Sequence, residues 1–331
     1  MNAQSETDRE GESPKVSTHR TRRFLRRFAT LFALAAIVLL FAALKPTIFL
    51  TVTNIRNVLL AAAVGGVVAV AQTVVMTLGD FDLSVGSNAD MVGMVLGLLM
   101  VKGHVTPVVG VVIGLAIGAL CGLVNGILVS YVNISAFIAT LGTLTMFGGM
   151  ALLLNDGHTI FGFPVSFNSI GQGKVGPIPI PVIILIVVCM VMYFVMARTT
   201  LGRWWYAVGG NGDASYLAGL RVKRLRLLAF VACGLGAALG GILLTARLSS
   251  ANPTSAEGMM IQSITAVFIG MTAFKDGQPN IAGTVVGILI LGVLTNGMNL
   301  THVDSYTQMV ITGAVTVLAV SLSGVAKSRR A

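Results

Sequence analysis

The chain has 331 residues, 55% hydrophobic and only 10% charged, with a formal net charge of +10. Soluble globular chains carry about 25% charged residues, so this chain cannot cover a water-facing surface and is a membrane protein. The basic excess does not indicate nucleic acid, because Lys and Arg cluster at the ends of apolar runs.

The first 27 residues are polar and end in Arg20, Arg22, Arg23, Arg26 and Arg27, and the apolar core that follows runs on to about Leu44. A secretory signal has a shorter basic start and a small-residue cleavage site. The expectation is a disordered cytoplasmic tail over 1–27 and a retained first span. A spanning helix needs about 20 apolar residues. Apolar runs near 28–48, 55–79, 84–102, 105–131, 135–154, 179–197, 226–247, 260–274, 281–300 and 307–325 predict about ten spans, the third and eighth least distinct. Residues 28–325 are thus expected to form an all-α polytopic membrane domain, followed by a cytoplasmic tail over 326–331.

Lys and Arg near span ends set orientation. With the N-terminus inside, 17 of the 22 basic residues fall on the inner side: the tail, the 198–226 loop, Lys275 and the C-terminus. The outer side keeps Lys45, Arg56, Lys102, Lys174 and Arg247. An N-in/C-in arrangement follows.

Between the second and third spans stands GDFDLSVGS, Gly79 to Ser87. A charge at the bilayer centre costs about 2.5–3.5 kcal/mol on insertion scales, so Asp80 and Asp82 must face water, protein or a cavity. Asp82 and Ser84 can cap the start of the third helix, where a carboxylate meets orphan N–H groups and the positive dipole end. The competing role is lining a solute pathway. Asp90 is the only acid well inside a predicted span.

The fourth span carries Gly110, Gly114, Gly118, Gly122 and Gly126, and the seventh Gly236 and Gly240. At helical spacing such stripes let another backbone approach closely. Asn125-Gly126 with Val132-Asn133 is echoed 171 residues later by Asn296-Gly297 with Val303-Asp304. The two copies end on opposite sides, as in the inverted repeats of transporters.

Cys121, Cys189 and Cys233 lie inside apolar runs and form neither a disulfide framework nor a metal pattern. No phosphate-binding loop occurs: Gly171-Gln172-Gly173-Lys174 continues with Val175, and Gly209-Gly210-Asn211-Gly212 lacks the required spacing. The histidines are scattered, so no catalytic cluster, cofactor site or metal site is expected. The 198–226 loop is polar and basic, with a short helix after Asn211 or Asp213 as cap and Gly219 as its stop. It is either an ordinary solvated loop or a rigid knob for a cytoplasmic partner.

Six motifs then occur in order: DLSVGS (Asp82–Ser87), FIATLGT (Phe137–Thr143), GR-x-x-YA-x-GGN (Gly202–Asn211), A-x-x-x-x-GL (Ala214–Leu220), TARL (Thr245–Leu248) and NG-x-N (Asn296–Asn299). From about residue 50 to the C-terminus the chain resembles the membrane permease of ribose-type ABC carbohydrate importers. The resemblance implies a type II, vitamin-B12-importer-like fold in the bacterial inner membrane. It implies dimerisation with a second permease subunit, identical or different, and a periplasmic solute-binding protein. It also implies a separate cytoplasmic ATPase that holds ATP and Mg, so this chain itself is no enzyme.

Carried onto this sequence, the ATPase-coupling loop is Gly202, Tyr206, Gly209, Gly210, Asn211, Asp213, Ala214, Leu217 and Gly219. The expected translocation pathway is Asp82, Ser84, Ser87, Phe137, Thr140, Thr143, Asn296 and Asn299, although the same side chains could simply pack helices. The expected solute is a monosaccharide or polyol, with a nucleoside, signalling furanone or branched-chain amino acid as alternatives. An ion-gradient carrier coupled through Asp90 or Asp80 is the reading from another class. Departures from the family pattern are Asp80 in place of a usual Gly, EGMMIQ (257–262) without its usual acid, and MTAFKDGQP (271–279) in place of a glycine-richer turn.

Overall fold

The computed structural model describes residues 16–274 and 277–328, with side chains over 30–274 and 277–321. Tail residues 1–15, Lys275 and 329–331 lie outside the described residues, as do the side chains of Arg20, Arg22, Arg23, Arg26, Arg27 and Lys327. Helix α1 (Val16–Leu44) begins within the stretch expected as a tail. Among the described residues seven helices are long and apolar enough to cross a membrane. They are α2 (Val52–Thr77), α3 (Val85–Gly97, prolonged by a π-helical turn to Lys102), α4 (Pro107–Ser130), α5 (Ala136–Leu153), α7 (Ile180–Arg198), α10 (Val222–Leu248) and α12 (Ile281–Leu300). Shorter apolar helices are the Thr30–Leu44 part of α1, α11 (Met259–Met271) and the Ser305–Ser321 part of α13 (Ser305–Ser328). The remaining elements are α6 (Val165–Gln172), α8 (Thr200–Gly210), α9 (Gly212–Leu217) and two small antiparallel pairs: β1 (Ile160–Phe161) with β4 (Ser250–Ala251), and β2 (Lys174–Val175) with β3 (Ile178–Pro179).

Helix starts follow local chemistry. Thr51 Oγ1 accepts the Asn54 N–H (3.3 Å), Ser135 Oγ the Ile138 N–H (3.3 Å), and Asn280 Oδ1 the Gly283 N–H (2.8 Å). Each oxygen satisfies one of the donors a helix leaves orphaned at its first turn. Pro107 opens α4, where its missing N–H costs nothing.

Helix α10 is the hub, packed on α4, α2 and α3. Its seam with α4 is the glycine stripe: a Cβ on Gly122 would strike Phe230 O and lie 2.9 Å from Val231 Cα. On other faces Gly236 meets Ala71, Gly240 meets Val68 and Gly241 meets Ala89. Small residues therefore serve three neighbours at once, and the predicted close packing is present.

The 171-residue offset also relates whole elements. It carries Val52–Thr77 onto 223–248, where α10 spans Val222–Leu248, and Pro107–Ser130 onto 278–301, where α12 spans Ile281–Leu300. Helices α3 and α11 each contain 13 residues and each follows an irregular polar stretch, 78–84 and 249–258. The second stretch turns at Ser249, which is left-handed (φ 52°). It then doubles back along α3 until Ala256 O would sit 2.7 Å from a Cβ on Gly86. Helix α11 therefore starts within the bundle rather than at its end, which is why the eighth apolar run is short.

Candidate functional site

Asp82, Ser84, Asn125, Thr140 and Thr143 are all buried and converge from the α2–α3 turn, α4 and α5. Asp82 Oδ1 accepts from the Ser84 N–H (2.9 Å) and the Ser84 hydroxyl (2.7 Å). The Asn125 amide donates to Ser84 Oγ (2.8 Å) and faces both Asp82 oxygens at 3.3 and 3.4 Å. Thr143 donates to Asn125 Oδ1 (2.7 Å), and Thr140 donates to Ala136 O (2.7 Å) with Phe81 O at 3.4 Å. The capping expectation is corrected here. Ser84 occupies the cap position of α3 without a capping side-chain bond, because its hydroxyl is already taken by Asp82 and Asn125. Asp82 instead folds its own turn by binding two residues ahead, as Asp side chains do. Four of the sequence-selected residues thus form one closed knot, completed by Asn125, which sequence reasoning used only as part of a repeat. Its signal was a lone amide beside the glycine stripe of an otherwise apolar helix.

The other selected residues lie apart from this knot. Ser87 is partly buried between α3 and α5, where its Oγ lies 3.4 Å from the Cβ position of Gly148. Phe137 is 57% exposed on α5. Asn296 exchanges two 3.0 Å hydrogen bonds with Asn54 across α12 and α2, and exposed Asn299 accepts from Gln308 (2.8 Å). Asp80 sits 2.7 Å from Arg226 Nε of α10, an ion pair rather than an aligned hydrogen bond. Asp90 accepts from the Ala256 N–H (2.8 Å) and the Ser255 hydroxyl (3.1 Å), tethering the returning 249–258 stretch to α3. Both acids outside the knot therefore have protein partners.

The α8–α9 segment closes one end of the bundle. Gly209 presses on Thr77 O and Leu78 at the end of α2, leaving no room for a side chain. Trp205 Nε1 donates to Leu225 O of α10 (2.9 Å), and Tyr206 Oη donates to Pro279 O just before α12 (2.9 Å). Burial pushes the Tyr206 phenol up to about 12, so it stays a neutral donor. Gly202 packs on Val195 and Met196 of α7.

Asn211 Oδ1 accepts the Ala214 N–H (2.9 Å) and starts α9. Gly219 (φ 83°) ends it, with Leu220 N bonded to Ser215 O (3.0 Å) and Gly219 N to Tyr216 O (2.9 Å). That double closure is the glycine-dependent helix stop. Gly210, Asp213 and Ala214 are exposed beside Tyr216 (71%) and Leu217 (85%). One short rigid helix thus presents apolar side chains outward, braced on α2, α7, α10 and α12.

A cavity of about 260 Å³ lies between the middle of α2, the end of α10, the start of α11 and the middle of α12. Its α2 wall is small-residue (Ala61, Ala62, Gly65), and its polar groups are Arg247, Ser255, Gln262 and Thr295. None was selected from sequence as a pathway residue. No group of three or more His, Cys, Asp or Glu that could hold a metal exists among the described residues.

Comparison with known proteins supplies an independent line. Residues 54–320 match the model of a family described as branched-chain amino acid transport system / permease component. The chain is 35% identical over 300 residues to the D-allose transport system permease protein AlsC of Escherichia coli K12, covering 90% of this chain and 92% of that protein. It is 36% identical to the ribose import permease protein RbsC of Bacillus subtilis 168, with the same coverage. It is 34% identical to the L-arabinose ABC transporter permease protein AraH of Azospirillum brasilense, covering 88% of this chain and 87% of that protein. No solved structure matches.

Proposed function

The chain belongs to the branched-chain amino acid transport system / permease component family, and from that premise we propose that it is the membrane permease subunit of an ABC sugar importer. The observation that carries this reading is the similarity over about nine-tenths of the chain to permeases named for allose, ribose and arabinose. A monosaccharide or polyol is the solute class, delivered on the outer face by a binding protein and driven by a separate ATPase. The chain crosses the bacterial inner membrane about ten times, three of the crossings using the shorter apolar helices, with both termini inside. Its two halves form an inverted repeat of the type II importer kind, and two permease subunits assemble around the pathway.

Coupling runs through α9. The exposed Tyr216 and Leu217 pair seats in a groove of the ATPase. ATP-driven closure of that partner then pushes on α8. Because Gly209 rests on the end of α2, Trp205 on α10 and Tyr206 on the α11–α12 connection, the push reaches helices of both halves together. The Asp82 knot holds the α2–α3 turn against α4 and α5, so that this corner moves as one body. An ion-gradient carrier is disfavoured because Asp80 and Asp90 are both engaged in internal contacts.

The test is affinity purification of the tagged chain in mild detergent with and without Leu217→Asp. A nucleotide-binding ATPase that accompanies the parent chain and is lost with the variant supports the reading. A chain that purifies alone and transports on an ion gradient overturns it.

A further inference from the structure

The end of α4 and the start of α10 form an exposed basic corner. The two helices run antiparallel along their seam, Gly126 packing on Leu227, Gly122 on Phe230 and Val231, and Gly118 on Gly234 and Ala238. With 24 and 27 residues they measure about 36 and 40 Å, against a hydrocarbon core of about 30 Å. Tyr131 at the cap of α4 and Lys223 in the first turn of α10 therefore stand where both helices leave that core. The Lys223 ammonium lies 5.8 Å from the centroid of the Tyr131 ring, within the range of a cation–π contact. Arg221 and Arg224 flank it, and all three cations are exposed. None has an acidic partner. Among the described residues the one ion pair is Asp80 with Arg226, and Asp213, the only acid between 198 and 226, forms none. Arg224 also heads an apolar stripe: Leu228 (46%) and Leu235 (39%) are exposed on α10, about one and three turns further along the same face.

We propose that this corner seats an anionic phospholipid of the phosphatidylglycerol type. Arg221, Lys223 and Arg224 take its phosphate, the Tyr131 ring lies at headgroup level, and an acyl chain runs along Leu228 and Leu235. Basic residues just outside a spanning helix attract anionic headgroups, each strengthening binding about fivefold, and tyrosine is enriched at that level. The continuity of charge with an apolar stripe selects a lipid over other anions. A soluble phosphate has no use for Leu228, and a protein docked on α9 does not cover a side chain about 16 Å along α10 from Arg224.

The test is native mass spectrometry of the delipidated full chain titrated with dioleoylphosphatidylglycerol or dioleoylphosphatidylcholine. Phosphatidylglycerol should bind at a concentration at least tenfold below that of phosphatidylcholine. Lys223→Gln/Arg224→Gln should weaken phosphatidylglycerol binding about tenfold or more and leave phosphatidylcholine unchanged. Lys45→Gln/Lys174→Gln removes the same charge from before α2 and α7, at the other end of the bundle, and should change neither. Leu228→Asn should weaken phosphatidylglycerol binding as well, and glycerol 3-phosphate alone should not displace the lipid. Equal binding of the two lipids, an unchanged 223/224 variant, or an equal loss in the 45/174 control overturns the proposal. Displacement by glycerol 3-phosphate gives the corner to a soluble anion and overturns it too. So does a 223/224 variant that keeps phosphatidylglycerol but loses a co-purifying ATPase, since its cations then serve that protein.

Discussion

Replacing Thr143 by Val removes one hydroxyl at the centre of the Asp82–Asn125 knot and leaves the side chain's shape. In the parent chain Thr143 donates to Asn125 Oδ1 at 2.7 Å, with both residues buried. The variant strands that amide oxygen where no water reaches it. In a water-soluble protein a stranded buried acceptor costs about 1–3 kcal/mol. Inside a bilayer, interhelical side-chain bonds average about 0.6 and reach about 1.7 kcal/mol, because the unfolded chain also finds partners in the membrane. The membrane scale governs here, and the geometry is near the best of it. The expected loss is therefore about 1–1.5 kcal/mol. Unfolding in mixed micelles by increasing anionic detergent measures it, and Thr143→Ser is the control that keeps the donor. Serine keeps the donor and should therefore lose clearly less stability than valine, which leaves the acceptor stranded. If Thr143→Val were as stable as the parent, or Thr143→Ser as weak as Val, the bond would not be what holds α5 to α4.

Two further expectations rest on different parts of the fold. Gly122→Ala puts a methyl group into the Phe230–Val231 backbone of α10 and should destabilise by about 1–3 kcal/mol, as overpacking does. Gly142→Ala, with nothing within 4 Å of its added Cβ, should be neutral or slightly stabilising, since alanine outranks glycine in a helix interior; thermal melts should therefore show a lowered Tm for Gly122→Ala and no lowering for Gly142→Ala. The start of α13 should respond to acid. Asp304 accepts from the Thr307 N–H (2.9 Å) and hydroxyl (2.6 Å), and these bonds hold its carboxyl below the ordinary 3.8. A depressed carboxyl contributes its stability above the unfolded value and loses it as pH falls through the folded one. Amide exchange at Thr307 should therefore be protected at neutral pH and lose protection only below pH 3.8, and Asp304→Ala should remove that protection at every pH.

Much of the architecture was legible because a bilayer imposes strong rules on composition. Seven apolar runs became helices long enough to cross, and the glycine stripe of α4 serves two neighbours, Gly118, Gly122 and Gly126 packing on α10 and Gly110 and Gly114 on α3 and its π-helical turn. Asn211 and Gly219 bounded α9, since capping depends on the residues at the helix ends. The site was less legible. Asp82, Ser84, Thr140 and Thr143 were selected as pathway or cap residues, yet the structure ties them into a buried knot through Asn125. Periodicity cannot show that, because the bonds join positions far apart in the chain, Asn125 to Asp82 across 43 residues and Thr140 to Phe81 O across 59. Arg247 was read as an outer-side charge and as part of the TARL motif, with no cavity beside it, because a cavity exists only once four helices have met.

Sequence alone determined that this is a polytopic membrane protein, where its helices run, and which loop carries a capped helix, because hydropathy, basic flanks and capping are local or additive along the chain. Only the tertiary structure decided which polar groups neutralise one another and which are left facing open space. Asp80 finds Arg226, Asp90 finds the returning loop, Asp82 finds Ser84 and Asn125, and Arg247 finds a cavity. Burial and pairing belong to groups brought together from distant segments, and in a low-dielectric interior that pairing decides whether a charge is structural or free to act.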